Sequence, residues 1–307
     1  MSSSTTTEVT GTSVGDVVRA YVALTKPRIV ELLLVTTLPA MVVAADGLPS
    51  AGLVLVTLIG GTLGACSANA FNSIIEREAD KLMARTRRRP MPNHRIEPRA
   101  AIVFSVLLQV ISFGMLWTWA NLLTALLVLA ANVFYVLVYT AYLKPRTVQN
   151  IVIGGAAGCV PVLAGWSAVT NDLSLVPWLM FAIVFLWTPP HFWALALRYK
   201  EDYAAASFPM LPVVAGTLET TRQIVGYTFI MVGFSLALGL VAGAGPLYMV
   251  IAMLLGIRFA QLTLRLHRVG LRAEEDEEVH GPAMAVFRFS IAYLGLLFFA
   301  LAADVFV

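Results

Sequence analysis

Three polar side chains follow one another at four-residue intervals where a long apolar segment ends. The apolar run covers residues 51–71, and Asn72, Glu76 and Asp80 come directly after it. On an α-helix this spacing places all three on one ridge about 12 Å long, because successive members rotate by only about 40°. Two carboxylates and an amide on one ridge suit a divalent cation, so the spacing predicts a metal site at this helix end.

Basic side chains follow the carboxylates. Arg85 and Arg89 repeat the four-residue spacing, with Arg87 and Arg88 between them. A guanidinium group pairs with phosphate through two hydrogen bonds and stays charged at any working pH. Mg²⁺ is usually held by a few carboxylates together with the phosphate oxygens of a substrate. The combination indicates a diphosphate site, and the alternative is a solvated cytoplasmic loop whose acids balance its bases.

The composition places these residues at a membrane. The chain has 307 residues, of which 59% are hydrophobic and 13% are charged, with a mean hydropathy of +0.81. This is too apolar for a soluble protein of this size, and it excludes a nucleic-acid-binding protein. Residues 1–17 contain neither a basic nor an apolar cluster, so we expect a disordered tail before a single transmembrane domain at 18–307.

The fold class is therefore all-α and polytopic. A spanning helix needs about 20 mainly apolar residues, and the alternation typical of a membrane β-barrel is absent. Short turns connect the apolar segments on one side and longer polar loops connect them on the other. We predict nine transmembrane helices, at about 28–46, 51–73, 100–119, 122–142, 148–170, 176–197, 222–243, 246–267 and 284–304.

The distribution of positive charge predicts the orientation. Each of the 21 Lys and Arg residues lies in the amino-terminal tail, in the loops after helices 2, 4, 6 and 8, or within a few turns of those ends. The positive-inside rule makes these segments cytoplasmic, and nine spans leave the carboxyl terminus outside. We expect an integral protein of a bacterial plasma membrane.

A second polar cluster follows the sixth helix, at residues 188–213. Pro189 and Pro190 should break or kink that helix within the bilayer, beside His191. Each polar cluster follows the second helix of a set of four helices. This indicates a pseudo-repeat of helices 1–4 and 5–8, with helix 9 outside the repeat. Two acidic ridges facing one cavity would hold two Mg²⁺ ions. The acids, bases and phenol after the sixth helix are Arg198, Lys200, Glu201, Asp202 and Tyr203.

These motifs resemble the UbiA superfamily of intramembrane prenyltransferases, and within it the protohaem IX farnesyltransferases. Asn72, Glu76 and Asp80 match the superfamily's Asn-acid-acid pattern after helix 2, and Asp202 matches its acidic motif after helix 6. The string Glu76-Arg77-Glu78 departs from the more common D-R-D, but a Glu still supplies carboxylate oxygens on one more methylene, so the role of Glu76 is kept. The subfamily's strings are TKPRI at 25–29, RTxxRP at 85–90, KPRTxQN at 144–150, PPHFWALA at 189–196, and DYxxA with PMLPV at 202–213.

The resemblance implies farnesyl transfer from farnesyl diphosphate to a vinyl group of haem B, with water addition, giving haem O. It also implies a bundle with a central cavity open to the cytoplasmic side. Glu76, Asp80 and Asp202 would hold Mg²⁺, and Asn72 would orient a ligand or a water molecule. The residues that would clamp phosphate oxygens are Arg85, Arg89, Lys144 and Lys200, with Lys26 and Arg28 as further candidates.

The resemblance also implies a haem site near His191, with Arg198 and Tyr203 as further candidates. His191 could ligate haem iron, hydrogen-bond a propionate or accept a proton, and a packed core histidine is the alternative. Arg198 and Tyr203 could equally anchor the helix at the membrane interface.

Two other functions remain open at this point. One is a superfamily enzyme acting on an aromatic or quinone precursor, which would share the diphosphate half of the site. The other is a haem-handling transporter or chaperone, since broken helices and repeats also mark transporters. A stable contact with haem A synthase or with terminal oxidase assembly is left undecided by the sequence.

Overall fold

The helices follow the predicted spans closely. The structure is a computed structural model that describes residues 13–273 and 276–307, without the side chains of 28–34, and this part of the chain contains no β-strand. The longest helices begin and end within about six residues of their predicted bounds. In chain order they are α1 Val14–Leu24, α2 Pro27–Ala44, α3 Ala51–Ile75, α4 Arg77–Leu82, α5 Pro98–Trp119, α6 Leu122–Val133, α7 Asn150–Gly154, α8 Ala156–Thr170, α9 Leu175–Arg198, α10 Lys200–Ala205, α11 Leu211–Val214, α12 Gly216–Ala242, α13 Pro246–Gly270 and α14 His280–Asp304.

Eight helical segments of the described chain are long and apolar enough to cross a membrane. The predicted first span, 28–46, coincides with α2, whose described side chains from Val35 to Ala44 form a shorter apolar helix. The count of nine therefore stays a prediction, as does the four-helix pseudo-repeat.

The amino-terminal segment is partly helical. Helix α1 begins at Val14, within the segment 1–17 that we predicted to be a disordered tail, and residues 1–12 lie outside the described chain. Leu24 and Ala20 of α1 are buried against Ala70 of α3 and its surroundings. The region before the first predicted span is therefore docked on the bundle through Ala20 and Leu24, whereas residues 13–19 are exposed.

Helix α9 differs from its prediction. It continues through Pro189 and Pro190, so of the predicted break or kink the break is not observed. Each proline removes one helical hydrogen bond, but both are buried and the helix packs along α12 and α14. Tertiary packing maintains the helix here, as it can in membrane bundles.

The long helices form one closed bundle. Consecutive spans contact each other along the chain from α2 to α14, and α14 returns to contact both α2 and α9. The outer faces carry large apolar side chains that are exposed, as a lipid-facing surface requires. Examples are Leu55, Val106, Val110, Leu137, Leu254 and Phe299.

Small residues allow two close helix contacts along the middle of α3. A Cβ atom at Gly64 would lie 2.5 Å from Val128 Cγ1, and a Cβ atom at Gly60 would lie 2.7 Å from Leu116. Gly60 and Gly64 are spaced as in the small-xxx-small pattern, which lets membrane helices approach closely. Ser112 and Asn132 donate hydrogen bonds to the carbonyl oxygens of the same two glycines, at 2.7 and 3.2 Å. These contacts fix α3, whose end carries the polar ridge.

Candidate active site

The predicted ridge exists, and its three members are buried. Asn72, Glu76 and Asp80 are 2%, 6% and 0% exposed. Helix α3 ends at Ile75, but the i to i+4 bonds continue, because Glu76 N donates to Asn72 O at 2.9 Å and Asp80 N donates to Glu76 O at 2.8 Å. The ridge therefore survives the junction with α4.

Glu78 faces away from the ridge. It is exposed, and its carboxylate pairs with the neighbouring Lys81 at 2.7 Å and with Arg77 at 3.4 Å. The second acid of the Glu76-Arg77-Glu78 string thus belongs to the solvated side of α4.

Lysine side chains bind the first two members of the ridge. Lys144 Nζ donates to Glu76 Oε1, and Lys26 Nζ donates to Asn72 Oδ1. Burial opposes the ionisation of Glu76, but the ammonium groups of Lys144 and Lys26 outweigh it and hold the pKa of Glu76 below its ordinary value. Burial also works against the charge of Lys144, yet the Glu76 carboxylate raises the pKa of Lys144. The pair is therefore ionised at neutral pH.

Lys26 occupies an unusual position. It lies between α1 and α2 with a left-handed backbone (φ 52°), which non-glycine residues rarely adopt. Burial, together with the nearby Arg89 guanidinium, lowers the pKa of Lys26 to about 7. Strained backbone and a shifted pKa are typical of functional positions. The side chain of the other candidate in this segment, Arg28, lies outside the described residues.

Arg89 binds the third member of the ridge. Its Nη1 lies 3.0 and 2.9 Å from the two carboxylate oxygens of Asp80. The loop that carries Arg89 is itself held in place, since Thr86 Oγ1 donates to Asp80 O at 3.0 Å and Asn93 Nδ2 donates to Arg89 O at 2.8 Å. A buried carboxylate needs such a partner, because an isolated buried charge is costly.

The second acidic cluster lies beside the first. Asp202 Oδ1 accepts a hydrogen bond from Ala84 N at 3.1 Å, and the Arg85 guanidinium lies 5.4 Å from the centroid of the Tyr199 ring. The loop after α4 therefore contacts α10 through a carboxylate and the residue before α10 through a cation–π contact. The two polar clusters of the sequence form one polar cap at this end of the bundle.

The predicted metal triad is not gathered around one point. Within the described part of the chain, no three Asp, Glu, His or Cys side chains are close enough together to hold a metal ion. Glu76 and Asp80 are adjacent and buried, whereas Asp202 is held by the Ala84 amide. Two carboxylates still fit Mg²⁺, which usually completes its shell with water and substrate phosphate oxygens.

The remaining predicted residues fall into two groups. Tyr203 is buried within electrostatic reach of Lys144, so it belongs to the cluster. Lys200 instead pairs with Asp276, whose other oxygen accepts from Thr217. Arg198 is exposed, and its Nη1 lies 3.3 Å from His280 Nδ1, at a cavity of about 330 Å³. The predicted central cavity remains a prediction.

His191 lies away from the charged residues, inside the bundle. It is 7% exposed, stacks between the rings of Trp187 and Phe287, and its Nδ1 lies 2.6 Å from Ser290 Oγ. Its neighbours are aromatic rings and a hydroxyl group, which differs from the acid-and-base setting of the ridge.

Known proteins match this chain over most of its length. Residues 33–291 match the model of the UbiA prenyltransferase family. The chain belongs to the UbiA prenyltransferase family. It is 52% identical to a protein of a Nocardioides species named protoheme IX farnesyltransferase, over 95% of this chain and 92% of that one. A protein of Renibacterium salmoninarum with the same name is 51% identical, over 94% and 90%.

Solved structures share the UbiA-type fold. A digeranylgeranylglyceryl phosphate synthase superposes with a TM-score of 0.76 at 15% identity, over 94% of this chain and 99% of that one. A UbiA homologue from Archaeoglobus fulgidus, bound to GPP and Mg²⁺, superposes with a TM-score of 0.63 at 18% identity, over 92% and 99%. The chain is thus an integral membrane prenyltransferase.

Sequence reasoning missed one wall of this UbiA-type site. The π-helical segment Phe134–Leu143 continues α6 and ends beside Lys144. In it, Thr140 Oγ1 accepts a hydrogen bond from Asn72 Nδ2 at 3.0 Å, and the Tyr139 ring centroid lies 5.9 Å from Lys144 Nζ. π-Helical turns are frequent at functional sites. Three tyrosines in the ten residues before Lys144 were the available signal.

Proposed function

We propose that this protein transfers a farnesyl group from farnesyl diphosphate to a vinyl group of haem B, with addition of water, giving haem O. The observation that carries the proposal is the 52% identity, over nearly the full length, to a protein named protoheme IX farnesyltransferase. The site supports the same chemistry, because buried carboxylates and bases meet at the polar end of an apolar bundle.

The ridge would bind the diphosphate together with Mg²⁺. Glu76 and Asp80 would hold one Mg²⁺ ion on the ridge, and Asp202 would hold a second from the neighbouring acidic cluster. The Archaeoglobus homologue of the same fold binds GPP and Mg²⁺. When bound, Mg²⁺ neutralises part of the charge that develops on the leaving diphosphate. Lys144 and Arg89, with Lys26 and Arg85 close by, would bind the phosphate oxygens. Thr140 and Lys26 would orient Asn72 from its two sides.

The reaction would form one carbon–carbon bond and release diphosphate. The C1–O bond of farnesyl diphosphate breaks, and the electron pair leaves with the diphosphate. The terminal vinyl carbon of haem B forms a bond to C1, which leaves a cation on the carbon next to the pyrrole. Water adds to that carbon and loses a proton. The preorganised bases stabilise the departing charge, and the apolar bundle keeps bulk water from the farnesyl cation.

The acceptor half would lie along α9 and α10. His191, Arg198 and Tyr203 are our candidates for contacts with haem B, with His191 deepest and Arg198 at the exposed helix end. Residues 18–307 would work as one domain in a bacterial plasma membrane, with the amino terminus cytoplasmic and the carboxyl terminus outside. Haem A synthase or terminal oxidase assembly would be the expected recipients of the product.

A product assay tests the proposal. Purified protein in detergent is incubated with haem B, farnesyl diphosphate and Mg²⁺, with and without EDTA, and the haems are analysed by mass spectrometry. We expect a hydroxyethylfarnesyl haem that forms only without EDTA. Farnesylation of a small aromatic acid instead of haem would assign the protein to quinone-type chemistry. Tight haem binding without transfer to either acceptor would favour a haem-handling protein.

A further inference from the structure

The hydroxyl group of Ser290 determines which nitrogen of His191 carries the proton. Ser290 Oγ lies 2.7 Å from the Phe287 carbonyl oxygen, one turn earlier in α14, and 2.6 Å from His191 Nδ1. A carbonyl oxygen only accepts, so the single hydroxyl proton of Ser290 must point to Phe287. Ser290 Oγ therefore accepts from His191, and His191 is protonated at Nδ1.

The other nitrogen of His191 then carries a free lone pair. In a neutral imidazole, protonation at Nδ1 leaves Nε2 as an acceptor. No hydrogen-bond partner of Nε2 is found among the side chains that the structure describes, although the residue is 7% exposed. That lone pair is therefore available to a ligand.

The ring is held rigidly in this orientation. His191 stacks on Trp187 with centroids 4.2 Å apart and on Phe287 with centroids 4.6 Å apart. Trp187 Nε1 also donates to the Ser290 carbonyl oxygen at 2.7 Å, which joins α9 to α14 at the same level. Both the tautomer and the direction of the Nε2 lone pair are thus set before any ligand binds.

We propose that Ser290 is a positioning residue that keeps His191 protonated at Nδ1, so that Nε2 coordinates the iron of a porphyrin substrate. The proposal rests on the proposed function, which supplies an iron porphyrin. Histidines that bind metals usually donate their second N–H to an oxygen acceptor, and that partner fixes the tautomer. A propionate contact does not fit, because Nε2 has no proton to donate to a carboxylate.

A haem titration tests this proposal. It uses the purified full-length protein in detergent, without farnesyl diphosphate or Mg²⁺. Absorption and electron paramagnetic resonance spectra report the axial ligand. We expect a histidine-ligated spectrum that His191→Ala removes and added imidazole restores. Ser290→Ala should weaken haem binding by about 10- to 100-fold and change the spectrum, as loss of an outer-shell partner typically does. Ser290→Thr, which keeps the hydroxyl, should restore both.

Several outcomes would overturn the proposal. One is an unchanged spectrum and affinity in Ser290→Ala. Another is an axial histidine signal that persists in His191→Ala, and a third is wild-type protein that binds haem without a histidine ligand. Asp80→Asn is the matched control, since it alters the diphosphate half and should leave the haem spectrum unchanged. If wild-type protein gives the expected spectrum but no farnesylated product, the proposed function fails while the assignment of Ser290 stands.

Discussion

At the scale of single residues, a base accompanies each buried carboxylate of the ridge. Glu76 pairs with Lys144, and Asp80 pairs with Arg89. These bases also suit phosphate oxygens, so a bound diphosphate and its metal would share the pairs that now stabilise the protein. We expect the same groups to serve both stability and substrate binding, as is common where ionised side chains are buried.

Asp80→Asn should abolish most turnover while the protein stays folded. The amide keeps the shape of the side chain but loses the charge that would bind Mg²⁺, and we expect a fall in kcat of about 100- to 1,000-fold. Asp202→Asn should act in the same direction. The measurement is the product assay together with a thermal unfolding curve in detergent.

Glu78→Gln is the control for these two substitutions. Glu78 is two residues from both Glu76 and Asp80, but it is exposed and pairs with its neighbours Arg77 and Lys81. Its substitution should leave kcat within about twofold of wild type, because exposed ion pairs contribute little. Equal losses in Glu78→Gln and Asp80→Asn would contradict the placement of the metal on the ridge.

At the scale of elements, close contacts between helices hold together the polar ends of α2, α3 and the π-helical segment. A Cβ atom at Gly165 of α8 would lie 2.5 Å from the backbone oxygen of Thr37 in α2. That approach brings α2 beside α8, whereas the glycines of α3 bring α3 beside α5 and α6. The polar ends of α2, α3 and the π-helical segment can therefore meet at one level.

Gly165→Ala should destabilise the protein. The added methyl group would press on the backbone of α2, which cannot move aside like a flexible side chain, and overpacking of this kind costs about 1–3 kcal/mol. We expect a lower Tm in detergent. Gly158→Ala in the same helix is the control, because a Cβ atom there meets nothing within 4 Å. A Tm of Gly165→Ala at or above that of Gly158→Ala would show that this contact does not limit helix packing.

At the scale of the whole molecule, the polar residues gather at one end of an apolar bundle. The ridge leads into the loop that carries Arg85, and that loop contacts α10, while the bundle presents exposed apolar side chains around its sides. A membrane protein with this layout carries its chemistry at one membrane surface, where charged ligands can reach it from water.

Reporter fusions test the orientation and the number of spans together. With nine spans and a cytoplasmic amino terminus, alkaline phosphatase fused after Val307 should be active and a green fluorescent protein at the same place should be dark. A fusion in the polar loop 83–97 should give the opposite pair of results, because positively charged loops stay in the cytoplasm. A fluorescent fusion after Val307 would indicate an even number of spans.

Much of the fold and one ridge of the site follow from local sequence. Each span is a run of about 20 apolar residues, because a bilayer requires a helix of that length whatever its neighbours are. The ridge of Asn72, Glu76 and Asp80 follows from the helical period alone, and all three are indeed buried on it.

Tertiary structure alone decided what each of those residues contacts. Lys144 reaches Glu76 from 68 positions away, and Ser290 reaches His191 from 99 positions away. Such pairs depend on the rotation and depth of each helix in the bundle, which packing sets and which the apolar pattern of a membrane helix leaves undetermined. The same packing keeps α9 continuous through Pro189 and Pro190, where local sequence predicted a break or a kink.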